Sequence, residues 1–146
     1  MKVEVLSVGT KMPSWVEDVC KDYLKRFDRH IHIQLRSVPL HTKHKDTERL
    51  LAQIPPEAYC ILLDEKGKLY SSTELSKQWE VWQNLGRPLC FVIGGPDGFD
   101  PAIFSRANEL WSLSPLTFPH PLVRVMVVEQ LYRALSIHKG HPYHRA

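Results

Sequence analysis

A chain of 146 residues, 43% of them apolar, is long enough to bury one hydrophobic core and too short for two. No run approaches the roughly 18 apolar residues of a membrane helix, and Lys2 and Glu4 place charge where a secretory leader would be apolar, so one soluble, cytoplasmic domain of residues 1–146 is expected. The formal net charge of +3 permits an anionic partner without demanding one.

Residues 3–8 form a short β-rich run closed by Gly9, and Pro13 suits the first turn of a helix reaching about residue 27. Residues 31–38 alternate apolar and polar side chains, and residues 58–63 are a continuous apolar run; both read as strands, the second covered on both faces. Between them, residues 41–46 have the composition of an exposed loop, and 47–53 suit a short helix stopped by Pro55 and Pro56. Ser71 and Glu74 have the spacing of a capping box, which predicts a helix ending near Gly86 with Trp79 and Trp82 on one side. Residues 89–93 form a fourth strand, followed by the tight turn Gly94-Gly95-Pro96-Asp97-Gly98, and Asp100-Pro101 opens another short helix. Residues 110–113 give a fifth strand, 114–119 a loop, and 121–139 the longest helix, ended by Gly140. The alternation predicts an α/β fold, a mostly parallel sheet with helices on both faces.

Cys20, Cys60 and Cys90 are far apart and form no C-x-x-C pair, so they read as reduced core thiols and not as a disulfide framework or zinc site. Lys21, Lys25, Arg26 and Arg29 gather in the first third with Lys43 and Lys45, a candidate phosphate-facing surface. Nicotinamide and nucleoside triphosphate chemistry lose support, because the first turn reads Gly9-Thr10-Lys11-Met12-Pro13 and no phosphate-loop motif follows. In open α/β sheets ligands collect beyond the carboxyl ends of the strands, and here the distinctive loops there are 94–100 and 114–120. His138, His141 and His144 are regularly spaced, but Gly140 and Pro142 break the helix that would align them, and no metal is expected.

The motifs Val8-Gly9-Thr10-Lys11-Met12-Pro13, Leu63-Asp64, Ile93-Gly94-Gly95-Pro96-Asp97-Gly98, the run from Trp111 to Pro121 and the terminal Tyr143-His144-Arg145 together resemble the RlmH family of the SPOUT superfamily, nearly end to end. The resemblance implies a deep C-terminal trefoil knot, a homodimer, and S-adenosyl-L-methionine as methyl donor. It further implies that the ribosome is the partner and that the acceptor is N3 of pseudouridine 1915 in helix 69 of 23S rRNA. Carried onto this chain, the cofactor pocket would be lined by Leu63, Gly94 and Gly95 and by Leu113, Ser114, Pro115, Leu116, Thr117 and Phe118. Pro115 departs from expectation, since it has no N–H to donate. His144 is the candidate base, Arg145 would hold negative charge developing on the acceptor's carbonyl oxygens, and Tyr143 would stack on or hydrogen-bond the acceptor. Apolar residues cover more than one stripe of the last helix, which with the resemblance suggests a second subunit against it. Two rival readings stay open: a non-catalytic ribosome-binding or assembly factor with the same fold, and a SPOUT methyltransferase acting on transfer RNA.

Overall fold

A computed structural model describes residues 1–145. Strand β1 (Lys2–Val8) turns Val3 and Val5 to one side and Leu6 and Val8 to the other, all of them buried, as a strand covered on both faces requires. It is followed by α1 (Ser14–Leu24), β2 (His32–Val38), α2 (Lys43–Gln53), β3 (Tyr59–Leu69), α3 (Ser72–Gln83) and β4 (Leu89–Ile93). A 3₁₀ helix (Pro101–Ser105), β5 (Glu109–Ser112) and α4 (His120–His138) complete the order. The five strands pair in the order β2-β1-β4-β3-β5, and every pair is parallel.

Two hydrophobic layers hold the sheet. On one face Val3, Val5, Ile61 and Phe91 meet Trp79 and Trp82 of α3 and Val127 and Leu131 of α4. On the other, Leu6, Val8, Leu62 and Val92 meet Leu50 of α2, Ile54 just after it and Ile103 of the 3₁₀ helix. Helices therefore lie on both faces, and each fully buried Leu or Ile contributes about 1.5–3 kcal/mol. The three cysteines are buried and free; burial pushes the Cys60 thiol up to about 11 and the Cys90 thiol up to about 12, which keeps both unreactive.

The capping box forms as predicted: Glu74 N donates to Ser71 Oγ at 3.1 Å and Ser71 N donates to Glu74 Oε1 at 2.9 Å. Helix α2, in contrast, starts four residues before the predicted Thr47. Thr42 Oγ1 accepts from Lys45 N at 3.3 Å, and Asp46 is buried, accepting from His41 N at 2.6 Å. The charged segment that reads as a loop is thus the capped first turn of a helix. Strand β3 also runs past the predicted residue 63. Leu63 and then Lys68 both stand opposite Trp111, so residues 64–67 bulge out between them.

Helix α4 is wedged between neighbours of its own chain. Val128 packs against Val16 and Cys20 of α1, while Ser76 of α3 donates to the carbonyl of Ala134 at 3.0 Å. The several apolar sides seen in the sequence are largely consumed there, and a second subunit is not needed to explain them. What stays outside is the exposed Leu122 with the half-buried Met126, while Val125 packs against the cluster of Val16 and Cys20.

Candidate active site

Beyond the carboxyl ends of β4 and β5, and beside the bulge of β3, lie two adjoining hollows. The first is an open hollow lined by Leu63, Leu113, Ser114, Leu116, Thr117 and Phe118, together with Asp64, Glu65, Trp111, Ser112 and Val123. The second shares Leu63, Asp64, Glu65, Thr117, Phe118 and Val123 with it and extends over Gly94, Gly95 and the rest of the turn to Phe99 and His120. Eight of the nine residues expected to bind the cofactor therefore meet around one joined space. The ninth, Pro115, is exposed and lines neither hollow.

Local chemistry shapes both loops. Ser114 Oγ accepts from Leu116 N at 3.0 Å and the Ser114 carbonyl accepts from Ser112 Oγ at 3.1 Å, which sets the turn after β5. In the other loop Gly98 N donates to the Gly95 carbonyl at 3.0 Å, and Gly98 has φ +76°, where glycine alone is unstrained. A Cβ at Gly94 would meet Phe99 at 3.2 Å, and one at Gly95 would meet Val8 at 3.2 Å. The glycines thus let the turn close on its neighbours. Helix α2 holds the loop from behind, with Asp100 N donating to Thr47 Oγ1 at 2.9 Å. Arg124 is buried and donates to the carbonyl of Gly9 at 3.0 Å. Burial, and then the Arg124 charge, lower the pKa of His120.

The terminal residues sit elsewhere. Tyr143 Oη donates to Glu129 Oε1 at 2.9 Å, lies 2.8 Å from Tyr23 Oη, and packs its ring edge-on against Tyr132. Arg133 grips Glu129 at 2.7 and 3.0 Å and meets His144 Nδ1 at 3.0 Å. Arginine can only donate, so Nδ1 accepts and the neutral ring carries its hydrogen on Nε2. Tyr143 is pinned rather than free to stack, and burial with its Tyr23 and Glu129 hydrogen bonds pushes its hydroxyl pKa up. None of Tyr143, His144 and the exposed Arg145 lines either hollow. Ten residues of α4 separate Val123 at the hollow from Arg133 at the tail, about 15 Å of helix.

Glu65 and Val123 are site residues that the sequence reading does not single out, while Asp64 stands there only within a motif and His120 only at the end of a ligand loop, neither with a role. An acidic pair directly after a buried strand and before a glycine was the available signal. Among the described residues, no three His, Cys, Asp or Glu side chains gather in a way that could hold a metal ion, and no helix is long and apolar enough to cross a membrane.

Three relatives match almost end to end, and each is called ribosomal RNA large subunit methyltransferase H. The protein of Chromobacterium violaceum is 44% identical, covering 99% of both chains. That of Hahella chejuensis is 42% identical over 99% of both, and that of Dichelobacter nodosus is 42% identical over 100% of both. The structure of a probable methylase family protein from Haemophilus influenzae superposes with a TM-score of 0.61 over 99% of this chain and 70% of that one, at 8% identity, a likeness of fold alone. The family model described as predicted SPOUT methyltransferase matches residues 1–144, and the chain belongs to that family.

Proposed function

We propose that the protein transfers a methyl group from S-adenosyl-L-methionine to N3 of pseudouridine 1915 in helix 69 of 23S rRNA, on the assembled ribosome in the cytoplasm. The observation that carries this reading is the full-length similarity to relatives named as ribosomal RNA large subunit methyltransferases, joined to a hollow built from the residues expected to hold the donor. Residues 1–146 act as one catalytic domain, with the trefoil knot in its C-terminal third.

The lining suits the cofactor. Leu63, Leu113, Leu116 and Phe118 offer apolar walls for a purine, and Asp64 and Glu65 bring negative charge to face a cationic ligand. When bound, S-adenosylmethionine supplies an electrophilic methyl group on a sulfonium. The chain's task is to keep the acceptor aligned with it and to favour the N3 anion of the imide. With Nδ1 committed to Arg133, His144 presents an Nε2 hydrogen to a carbonyl oxygen of the base. Its role becomes donor to the forming anion instead of base, while the N3 proton passes to water. Arg145 adds a cation there, and Tyr143 orders the tail against Glu129.

Because the tail and the hollow lie apart in one chain, a homodimer in which one subunit's tail reaches its partner's hollow is the arrangement that unites them. The outward pair Leu122 and Met126, beside the hollow, is the apolar surface such a partner would cover. Exposed Lys21, Lys25 and Arg29 near α1 and Lys43 and Lys45 on the first turn of α2 would contact phosphates.

The test is transfer of labelled methyl from S-adenosylmethionine to ribosomes lacking the modification, beside free 23S rRNA and transfer RNA, with nucleoside mapping. Label at the helix 69 pseudouridine in ribosomes alone is the expected result. Label in transfer RNA would move the substrate, and cofactor binding with no label anywhere would favour the assembly-factor reading.

A further inference from the structure

We propose that Asp64 and Glu65 make the hollow select ligand by charge, favouring the cationic methyl donor over its neutral demethylated product; this rests on the cofactor reading above. The chain carries a net charge of +3, yet every charged side chain lining the two hollows is a carboxylate: Asp64 and Glu65 in both, and Asp97 in the second. None of the three forms a salt bridge among the described residues.

The backbone places the pair there. The slip in the β3 and β5 register ejects residues 64–67 from the sheet, and Gly67 secures it, since a Cβ on that residue would stand 2.5 Å from Trp111 N. Asp64 Oδ2 accepts from Lys66 N at 3.1 Å, which tightens the bulge and leaves the other oxygen to the hollow. Nearby positive charge is directed away. Lys68 Nζ lies over the Tyr70 ring at 5.0 Å, Lys66 lines neither hollow, and Arg124 points into the carbonyls of Val8 and Gly9. His120, the one basic ring in the lining, has its pKa lowered from 6.5 and is neutral at neutral pH.

The ligands differ by one charge. S-adenosylmethionine carries a sulfonium, an ammonium and a carboxylate; S-adenosylhomocysteine lacks the sulfonium charge. In transfer the methyl–sulfur bond breaks with its electron pair kept by sulfur, and the methyl carbon bonds to the N3 lone pair. The sulfonium's share of the attraction to the carboxylates then ends, and product release is eased. Asp64 is half-buried and Glu65 exposed, so solvent screens the effect and a preference of about tenfold is expected.

Calorimetric titration of the whole protein tests this with S-adenosylmethionine, S-adenosylhomocysteine and sinefungin, which keeps an amine cation at the sulfonium position. The wild type should bind the two cations about tenfold more tightly than S-adenosylhomocysteine, with the ratio shrinking from about 0.1 to about 1 M salt. In the double variant Asp64→Asn, Glu65→Gln the ratio should approach one while S-adenosylhomocysteine affinity holds, which reports an intact hollow. A ratio unmoved by the double variant, or equal losses for all three ligands, would overturn the charge selection alone. Failure of the wild type to bind any of them would sink the cofactor reading and this inference with it.

Discussion

Gly67 and Gly98 are both loop glycines near the hollow, but they are glycine for different reasons. Gly98 has φ +76° with open space for 4 Å around the point where a Cβ would stand, so Gly98→Ala meets only the left-handed strain of about 1–2 kcal/mol. Gly67 is hemmed by the backbone of Leu110 and Trp111 at 2.5–2.6 Å, so Gly67→Ala must part β3 from β5. We expect a loss of about 1–3 kcal/mol in urea unfolding, together with weaker S-adenosylmethionine binding because the acidic bulge moves. The turn of Gly94 to Gly98 was legible from its own residues. Gly67 was not, because the atoms that forbid a side chain belong to a strand more than forty residues on. His120 ties stability to pH. Its folded pKa lies below the unfolded 6.5, so the unfolded chain binds the proton first and stability falls as pH drops below 6.5. Urea midpoints of the wild type should decline over that window, and His120→Gln should flatten this part of the decline; parallel curves would show that other groups set it.

Among elements, the strands and α3 followed from local pattern, since apolar runs and a capping box act over a few residues. The start of α2 was missed because Asp46 looks like a solvated loop charge and is in fact buried under its own helix turn. The β3 bulge leaves no local pattern, because it is set by pairing with a strand more than forty residues on. A third feature, also nonlocal, anchors β5 upstream of the pocket loop. Glu109 accepts from Tyr59 at 3.2 Å, Gln78 at 3.2 Å and Trp82 at 3.3 Å on one oxygen, and from Tyr70 at 3.0 Å on the other. Burial, and then the Glu109 charge, raise the pKa of both tyrosine hydroxyls, which keeps them donating. Glu109→Leu leaves four donors without their acceptor and should cost about 1–3 kcal/mol, read as a lower urea midpoint and an altered near-ultraviolet signal from Trp82. An unchanged midpoint would mean that water replaces the carboxylate at no cost.

For the whole molecule, the sequence motifs named the family and gathered most of the pocket, but they did not say which parts meet. The tail is seated by Tyr23, Glu129 and Arg133, while the hollow ends at the other end of α4, at His120 and Val123. A catalytic role for the tail is then a claim about two chains, and it can be tested by complementation. Thr117 is exposed and lines both hollows, so Thr117→Trp fills the pocket without the collision with Phe99 that a side chain at Gly94 would bring. His144→Ala removes the proposed donor and leaves the pocket. Each variant alone should form an inactive dimer, the first failing to bind S-adenosylmethionine and the second binding it normally. Co-expressed with different affinity tags and purified as the mixed dimer, they pair one intact hollow with one intact tail. If the tail serves the opposite subunit, the mixed dimer recovers about half of wild-type methyl transfer, since one of two equivalent sites is whole. If each tail serves its own hollow, the mixed dimer is as inactive as its parents, and the separation along α4 must instead be closed by movement within one chain.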